Sequence, residues 1–225
     1  RGPGRGWVYP RAFVVICGSG CLPQMKQIVL IGDSIRMGYQ ETVRAELAGV
    51  ADVWSPEVNG GHTVNVLLHL HAWVGHRKPQ ILHVNAGLHD IRTLWYGGRE
   101  LLVPVDFYRR NVRTILTTAR DVFGAAVAWA LTTPVREENH HRAHARWNDF
   151  DRFECDVRTY NEAAREVCAD LGVPVNDLHQ VAAEAGLDRI QTDDGVHYLP
   201  EGSAMLGRAV AGFLRREFLG GNPKV

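Results

Sequence analysis

The 225-residue chain has no excess of either charge: Lys+Arg and Asp+Glu both number 25, for a formal net charge of zero. No basic stripe runs along it, which argues against a nucleic acid as the main partner. No apolar run approaches the ~20 residues that a helix needs to cross a bilayer, so no membrane partner is expected. Cysteine is scarce. Cys17, Cys21, Cys155 and Cys168 do not have the paired spacing of a zinc site. Cys155 and Cys168 fall in one predicted helical stretch and stand about 20 Å apart along it, beyond disulfide reach. Cys17 and Cys21 are near enough to bridge locally, though nothing demands it. The cysteines leave the compartment undecided, with a cytoplasmic location weighed ahead of secretion. Internal repeats and low-complexity tracts are missing too.

A hydrophobic content of 45% suits one sizeable core and a single domain. Residues 1–24 stand apart. Arg1, Arg5 and Arg11 precede a short apolar run at 12–17, a crude likeness of a secretion leader. The run is too short for a usual leader and no Ala-x-Ala-type cleavage site follows. Met25-Lys26-Gln27 then leads into the first strand as a natural start would. The expected division is an extension over 1–24, from cloning or a misplaced start with a poor signal peptide as the rival, and a domain over 25–225.

Strand-like runs alternate with helical ones. Strands are predicted at 27–32, 51–55, 79–85, 124–131 and 173–176, and helices at 35–48, 62–74, 105–121, 153–171 and 200–218. Near-continuous apolar strands between helices imply an α/β fold, a three-layer α/β/α sandwich around a five-stranded parallel sheet. A flavodoxin-like order, 2-1-3-4-5, would place ligands at the carboxyl ends of the strands. Two irregular stretches, 91–103 and 133–151, follow strand ends and are placed to wall a site.

The chemistry sits at the two ends of the chain. Residues 28–35 read Ile-Val-Leu-Ile-Gly-Asp-Ser-Ile, so a buried strand would end by presenting Ser34. Asp194-Gly195-Val196-His197 brings a carboxylate and an imidazole three positions apart. Nucleophile, acid and base thus occur in the order Ser, Asp, His. Asp33 follows the glycine directly, so the segment is not the G-x-S-x-G elbow of the α/β-hydrolases.

The Gly-Asp-Ser block resembles that of the SGNH (GDSL-type) serine hydrolases, and the likeness extends over Met25 to about Leu219. The resemblance implies Ser34 as nucleophile, His197 as base and Asp194 as its orienting acid, with Asp193 the less favoured neighbour. It implies an oxyanion hole made of the Ser34 N–H, the Gly60 N–H from Asn59-Gly60-Gly61, and a side chain from the third block. That block reads Gly87-Leu88-His89-Asp90, so His89 stands where the family has asparagine. A neutral imidazole can donate one hydrogen bond. Asn85, two residues before Gly87, is the alternative donor. Asp33 and Asp90 are expected to hold turns.

The resemblance implies an esterase that cleaves short acyl esters through an acyl-enzyme, with O-acetylated carbohydrate as the leading substrate. A lysophospholipase or thioesterase is the rival within the family, and an idle member that binds glycan or a protein partner is the rival outside enzymes. The substrate partner is then a small-molecule or glycan acyl ester. Trp95 and Tyr96 are candidates to stack on a sugar or to close the core edge. No cofactor or metal is called for: His140, His141 and His144 suggest a metal pair by spacing, but they read better as part of a polar lid. Arg36 is expected to be a solvated helix-start residue or to pair with a carboxylate. His69 and His71 are expected to be surface and packing residues of one helix.

Overall fold

The computed structural model describes residues 25–95, 98–145 and 150–220. The expectations for the segment 1–24, Cys17 and Cys21 included, lie outside the described residues, as does Tyr96.

Five parallel strands form one sheet: β1 (Lys26–Gly32), β2 (Ala51–Trp54), β3 (Ile81–Asn85), β4 (Ala126–Ala130) and β5 (Val175–Asn176), in the order β2-β1-β3-β4-β5. This is the predicted 2-1-3-4-5. All five residues of β3 are buried, as a strand covered on both faces requires. Helices α1 (Ser34–Glu46), α2 (Thr63–Leu70), α3 (Val105–Thr117), α5 (Glu154–Leu171) and α8 (Pro200–Leu214) fall where the apolar periodicity placed them. The last turns beyond α2, α3 and α8 widen to π-type geometry. Cys155 is exposed on α5, Cys168 is buried there, and both are free thiols.

Three helices are additional. α4 (Glu137–His144) crosses the stretch 133–151 that reads as irregular, and α6 (Leu178–Ala185) and α7 (Leu187–Ile190) follow β5. The sequence of α4, EENHHRAH, has no apolar stripe, and His140 is its one buried residue. A two-residue ribbon pairs Thr93–Leu94 with Glu100–Leu101 in the stretch after β3.

The register sets the site. Gly32, Asn85 and Ala130 are paired across β1, β3 and β4, and Asn176 pairs with Ala130. Four strands therefore end level, and the segments that leave them start from one edge. The core beneath is continuous, with Ile28, Leu30, Ile31, Leu82, Val84 and Trp129 all fully buried or nearly so.

Candidate active site

The turn after β1 is rigid. Asp33 caps α1 by accepting from the Ile35 N–H at 2.9 Å. Ser34 is the first helical residue, where a helix leaves N–H groups without internal acceptors. Ser34 Oγ lies 2.8 Å from His197 Nε2, and His197 Nδ1 lies 2.5 Å from Asp194 Oδ2. The short Nδ1 contact assigns the ring proton to Nδ1, which leaves Nε2 as an acceptor for the serine hydroxyl.

Asp194 is fixed in turn. Its Oδ1 accepts from Thr192 Oγ1 at 2.7 Å and from the Val196 and His197 N–H groups at 2.9 Å. The loop closes through Thr192 N–H to His197 O at 2.9 Å. Gly195 turns it at φ +73°, and a Cβ there would lie 2.4 Å from the Arg136 carbonyl. Arg136, just before α4, donates its N–H to Gly195 O at 2.8 Å and its guanidinium to Thr192 O at 2.6 Å. The unexpected helix α4 therefore begins on the loop that carries Asp194 and His197.

The charges follow this geometry. Burial pushes the Asp194 carboxyl up, but the hydrogen bonds from His197, Thr192 and the backbone together hold it far below the usual carboxylate range. The bond to Asp194 raises His197 above its ordinary value, against the opposing effect of burial. Burial lifts Asp33 to about 6 and Asp90 to about 7. Asp90 accepts from the Thr63 N–H at 3.0 and 3.1 Å, and also from the Thr63 hydroxyl, and so pins the start of α2.

Two expectations for the oxyanion hole are corrected. The Gly60 N–H donates to Gly32 O at 2.9 Å, so it is engaged in bracing its loop against β1. A Cβ on Gly60 would sit 2.7 Å from that carbonyl, which explains the glycine by close approach. Asn85 is buried, and its amide donates to the Ala130 and Leu131 carbonyls at 3.3 Å each. It ties β3 to the end of β4, so its amide N–H groups are engaged there. The glycine of this loop that lies beside His89 is Gly61: a Cβ there would stand 4.0 Å from His89 Nδ1. That N–H donates to Asn59 Oδ1 at 2.8 Å in this resting arrangement.

Arg36 departs furthest from expectation. It is fully buried, and its guanidinium donates to carbonyls: Gly32 at 3.2 Å, Pro56 at 2.9 Å and Val58 at 2.7 Å. A further bond goes to Gln40 Oε1. One cation thus bolts the loop bearing Asn59–Gly61 to the strand end that presents Ser34.

A cavity of about 240 Å³ opens over Ser34 and His197, bounded also by Asn59, His89, Arg92 and Arg152. Burial, reinforced by Arg92 and Arg152, pushes His89 down to about 3, so its ring is neutral. A second cavity of about 290 Å³ is walled by Trp95, His141, Asp151 and Ala145, and shares His144 and Phe150 with the first. Trp95 is half exposed and donates Nε1–H to Asp151 at 3.0 Å. His140 and His144 pack as rings 4.3 Å apart, and His144 lies 4.5 Å from Phe150. Among the described residues, no group of three or more His, Cys, Asp or Glu is arranged to hold a metal ion. His69 stacks on Trp73 at 4.8 Å, and His71 meets His76 and Phe123 edge-on. Arg92 and Arg152 were not singled out by sequence, and Asn59 was quoted only as the neighbour of Gly60; the one signal for Arg92 was its place in the irregular stretch 91–103.

No protein-family model matches the sequence, and no curated protein matches it. Solved structures do. A lipase/acylhydrolase from Enterococcus faecalis superposes with a TM-score of 0.72 at 22% identity, over 89% of this chain and 100% of that one. An acetylxylan esterase from Geobacillus stearothermophilus gives 0.64 at 16% identity, over 84% and 93%. A GDSL-like lipase from Bacteroides thetaiotaomicron gives 0.65 at 17% identity, over 85% and 88%. At these identities the likeness speaks to architecture, and the architecture of this chain is the SGNH (GDSL-type) hydrolase fold.

Proposed function

We propose that the protein is a serine esterase that hydrolyses short-chain acyl esters through an acyl-enzyme, with O-acetylated carbohydrate as the leading substrate class. The observation that carries this reading is the continuous relay from Ser34 Oγ to His197 Nε2 at 2.8 Å and from His197 Nδ1 to Asp194 at 2.5 Å. In the proposed reaction Nε2 takes the serine proton as Oγ attacks the ester carbonyl. Asp194 holds the ring and stabilises the imidazolium that forms. The proton then passes to the leaving alkoxide, and water repeats the sequence on the acyl-enzyme.

The negative oxygen of the tetrahedral intermediate needs preorganised donors. Candidates are the Ser34 N–H, the Gly61 N–H after Asn59 Oδ1 moves off it, and a ring N–H of neutral His89. The small volume over Ser34 favours a short acyl group over a fatty chain. Trp95, beside Asp151 and His141, pairs an aromatic face with polar groups, which suits a sugar in the adjoining cavity.

The test is hydrolysis of para-nitrophenyl acetate against the octanoate, with Ser34→Ala as control. The expected result is a clear acetate preference and a loss on the order of 10³-fold or more in the Ser34→Ala protein. Wild-type activity in that variant sinks the assigned nucleophile, and an octanoate preference sinks the short-chain reading.

A further inference from the structure

The loop that carries Asp194 and His197 is built as a short hairpin. Gln191 and Tyr198 bridge across it in antiparallel fashion, and the Leu199 N–H donates to Ile190 O at 2.9 Å. Within it, Thr192 touches both members of the relay. Its N–H donates to His197 O at 2.9 Å, and its hydroxyl donates to Asp194 Oδ1 at 2.7 Å. A displacement of Thr192 therefore reaches the carboxylate and the imidazole together. The distance from the imidazole to Ser34, which starts from another strand end, depends on how this loop is seated on the sheet.

Much of that seat is one residue, Arg136, which stands between the end of β4 and the start of α4. Its main-chain N–H donates to Gly195 O at 2.8 Å, at the tip of the loop. Its Nη2 donates to Thr192 O at 2.6 Å and its Nε to Gln191 Oε1 at 3.1 Å, at the base. The Gln191 side chain is buried, and its Nε2 donates to Pro134 O at 2.9 Å, which turns its oxygen to the guanidinium. Arg136 thus grips the loop on both sides of Asp194. Its remaining bond, from Nη1 to Asp188 at 2.7 Å, goes to a side chain that is 92% exposed and adds little. A planar fork can satisfy these diverging acceptors at once, whereas a lysine ammonium on a flexible stem cannot hold the same set.

We propose that Arg136 is a positioning residue for the proposed hydrolysis: its guanidinium, acting through Thr192 and Gln191, seats the loop so that His197 Nε2 meets Ser34 Oγ. The inference rests on the esterase reading above. It adds to that reading a residue that does not bound the cavity over Ser34.

Arg136→Met keeps the stem and the main-chain N–H and removes the fork. With para-nitrophenyl acetate, kcat should fall roughly 10- to 100-fold while KM changes by about twofold at most, because a displaced base costs rate and not ground-state binding. Arg136→Lys should recover part of the loss. A role confined to stability would lower the melting temperature and leave the kcat of the folded protein alone, so a folded Arg136→Met protein with wild-type kcat overturns the proposal. If the methionine variant does not fold, the lysine variant decides, and wild-type kcat in folded Arg136→Lys overturns it.

A second readout needs no turnover. The ionisation of His197 is followed by NMR, its resonance assigned by its loss in His197→Asn. The charged and titratable groups that act on His197 or bound the same cavity are Asp194 on its own loop, Asp33 before α1, His89 and Arg92 after β3, His144 at the end of α4 and Arg152 before α5. Arg136→Met retains all six. The ionisation should nevertheless move down towards the ordinary histidine value, because a loosened loop weakens the bond to Asp194 that raises it. Loss of a cation without movement of the loop would shift it upward instead. An unmoved or raised ionisation therefore overturns the proposal. If wild type hydrolyses nothing while the downward shift is seen, the esterase reading fails and the positioning role stands; if wild type turns over and the shift is absent, the reverse holds.

Discussion

Replacing Arg36 by methionine tests the part of the structure that sequence patterning did not foresee. The change keeps an unbranched apolar stem and removes every donor. Of the four acceptors, two keep other partners: Gly32 O retains the Gly60 N–H at 2.9 Å, and Gln40 Oε1 retains the Ser55 hydroxyl at 2.6 Å. Pro56 O and Val58 O lose the guanidinium. The Pro56 bond is buried, so its carbonyl should carry the full penalty of about 1–3 kcal/mol. The Val58 bond is partly buried and that carbonyl can take water, so about 1 kcal/mol is reasonable there. Relief of the buried cation, which burial already pushes below its ordinary pKa, returns a fraction. The net expectation is a loss of about 2–3 kcal/mol, read from urea unfolding at constant m-value.

The same substitution should reach catalysis, because the freed loop carries Asn59 and Gly61. A misplaced donor lowers kcat more than it changes KM, and a drop of about 10-fold or more is expected. Arg36→Lys, which can meet one or two carbonyls but not the whole set, should fall between. An Arg36→Met protein with wild-type stability and wild-type kcat would refute the reasoning, since both consequences follow from the same bonds.

Three further outcomes are expected. The rate should rise with pH through the ionisation of His197, displaced upward from the ordinary histidine value by Asp194, and Asp194→Asn should lower kcat and move that ionisation down. His89→Ala should reduce kcat by on the order of 10²–10³-fold with KM little changed, and His89→Asn should keep much of the activity; an unaltered kcat in the alanine variant would leave the backbone donors sufficient. Because burial raises the Asp90 carboxyl to about 7 in the folded chain, the native state binds this proton more tightly than the unfolded one. Its contribution to stability should therefore be greatest in acid and fall as pH rises from about 4 to about 7, a slope that Asp90→Asn should flatten in unfolding titrations.

The strands and their order were legible because each is a short apolar run between helical patterns, and a parallel sheet covered on both faces leaves that signature. Ser34 and the pair Asp194 and His197 were legible for a related reason: strand end and turn chemistry are local. What stayed hidden depends on distant partners. Arg36 occupies a helix start, where a solvated arginine is ordinary, and nothing nearby in sequence says that carbonyls twenty residues away will surround it. Neighbouring glycines cannot be told apart by type, so the donor role fell on Gly60, whereas the backbone path turns that N–H to Gly32 and leaves Gly61 beside His89. Helix α4 lacks an apolar face and is secured instead through Arg136 and the Gly195 loop.

A histidine in place of an amide at position 89 raises a specific physical problem, and the surrounding charges answer it. An amide N–H never titrates, whereas an imidazole near its ordinary pKa would gain a proton in mild acid and place another cation beside His197. That cation would oppose formation of the imidazolium on which the proposed chemistry depends. Burial together with Arg92 and Arg152 pushes His89 to about 3, well clear of that range. Its ring then stays neutral, as the proposed donor role requires, and His197, raised above its ordinary value by Asp194, is left as the histidine of the pair that takes up the proton first as pH falls. Substituting Arg92 should let His89 titrate at higher pH, so the low-pH limb of the rate profile should change shape as well as height. Through this effect on His89, Arg92 and Arg152 would bear on the reaction without touching the reacting atoms.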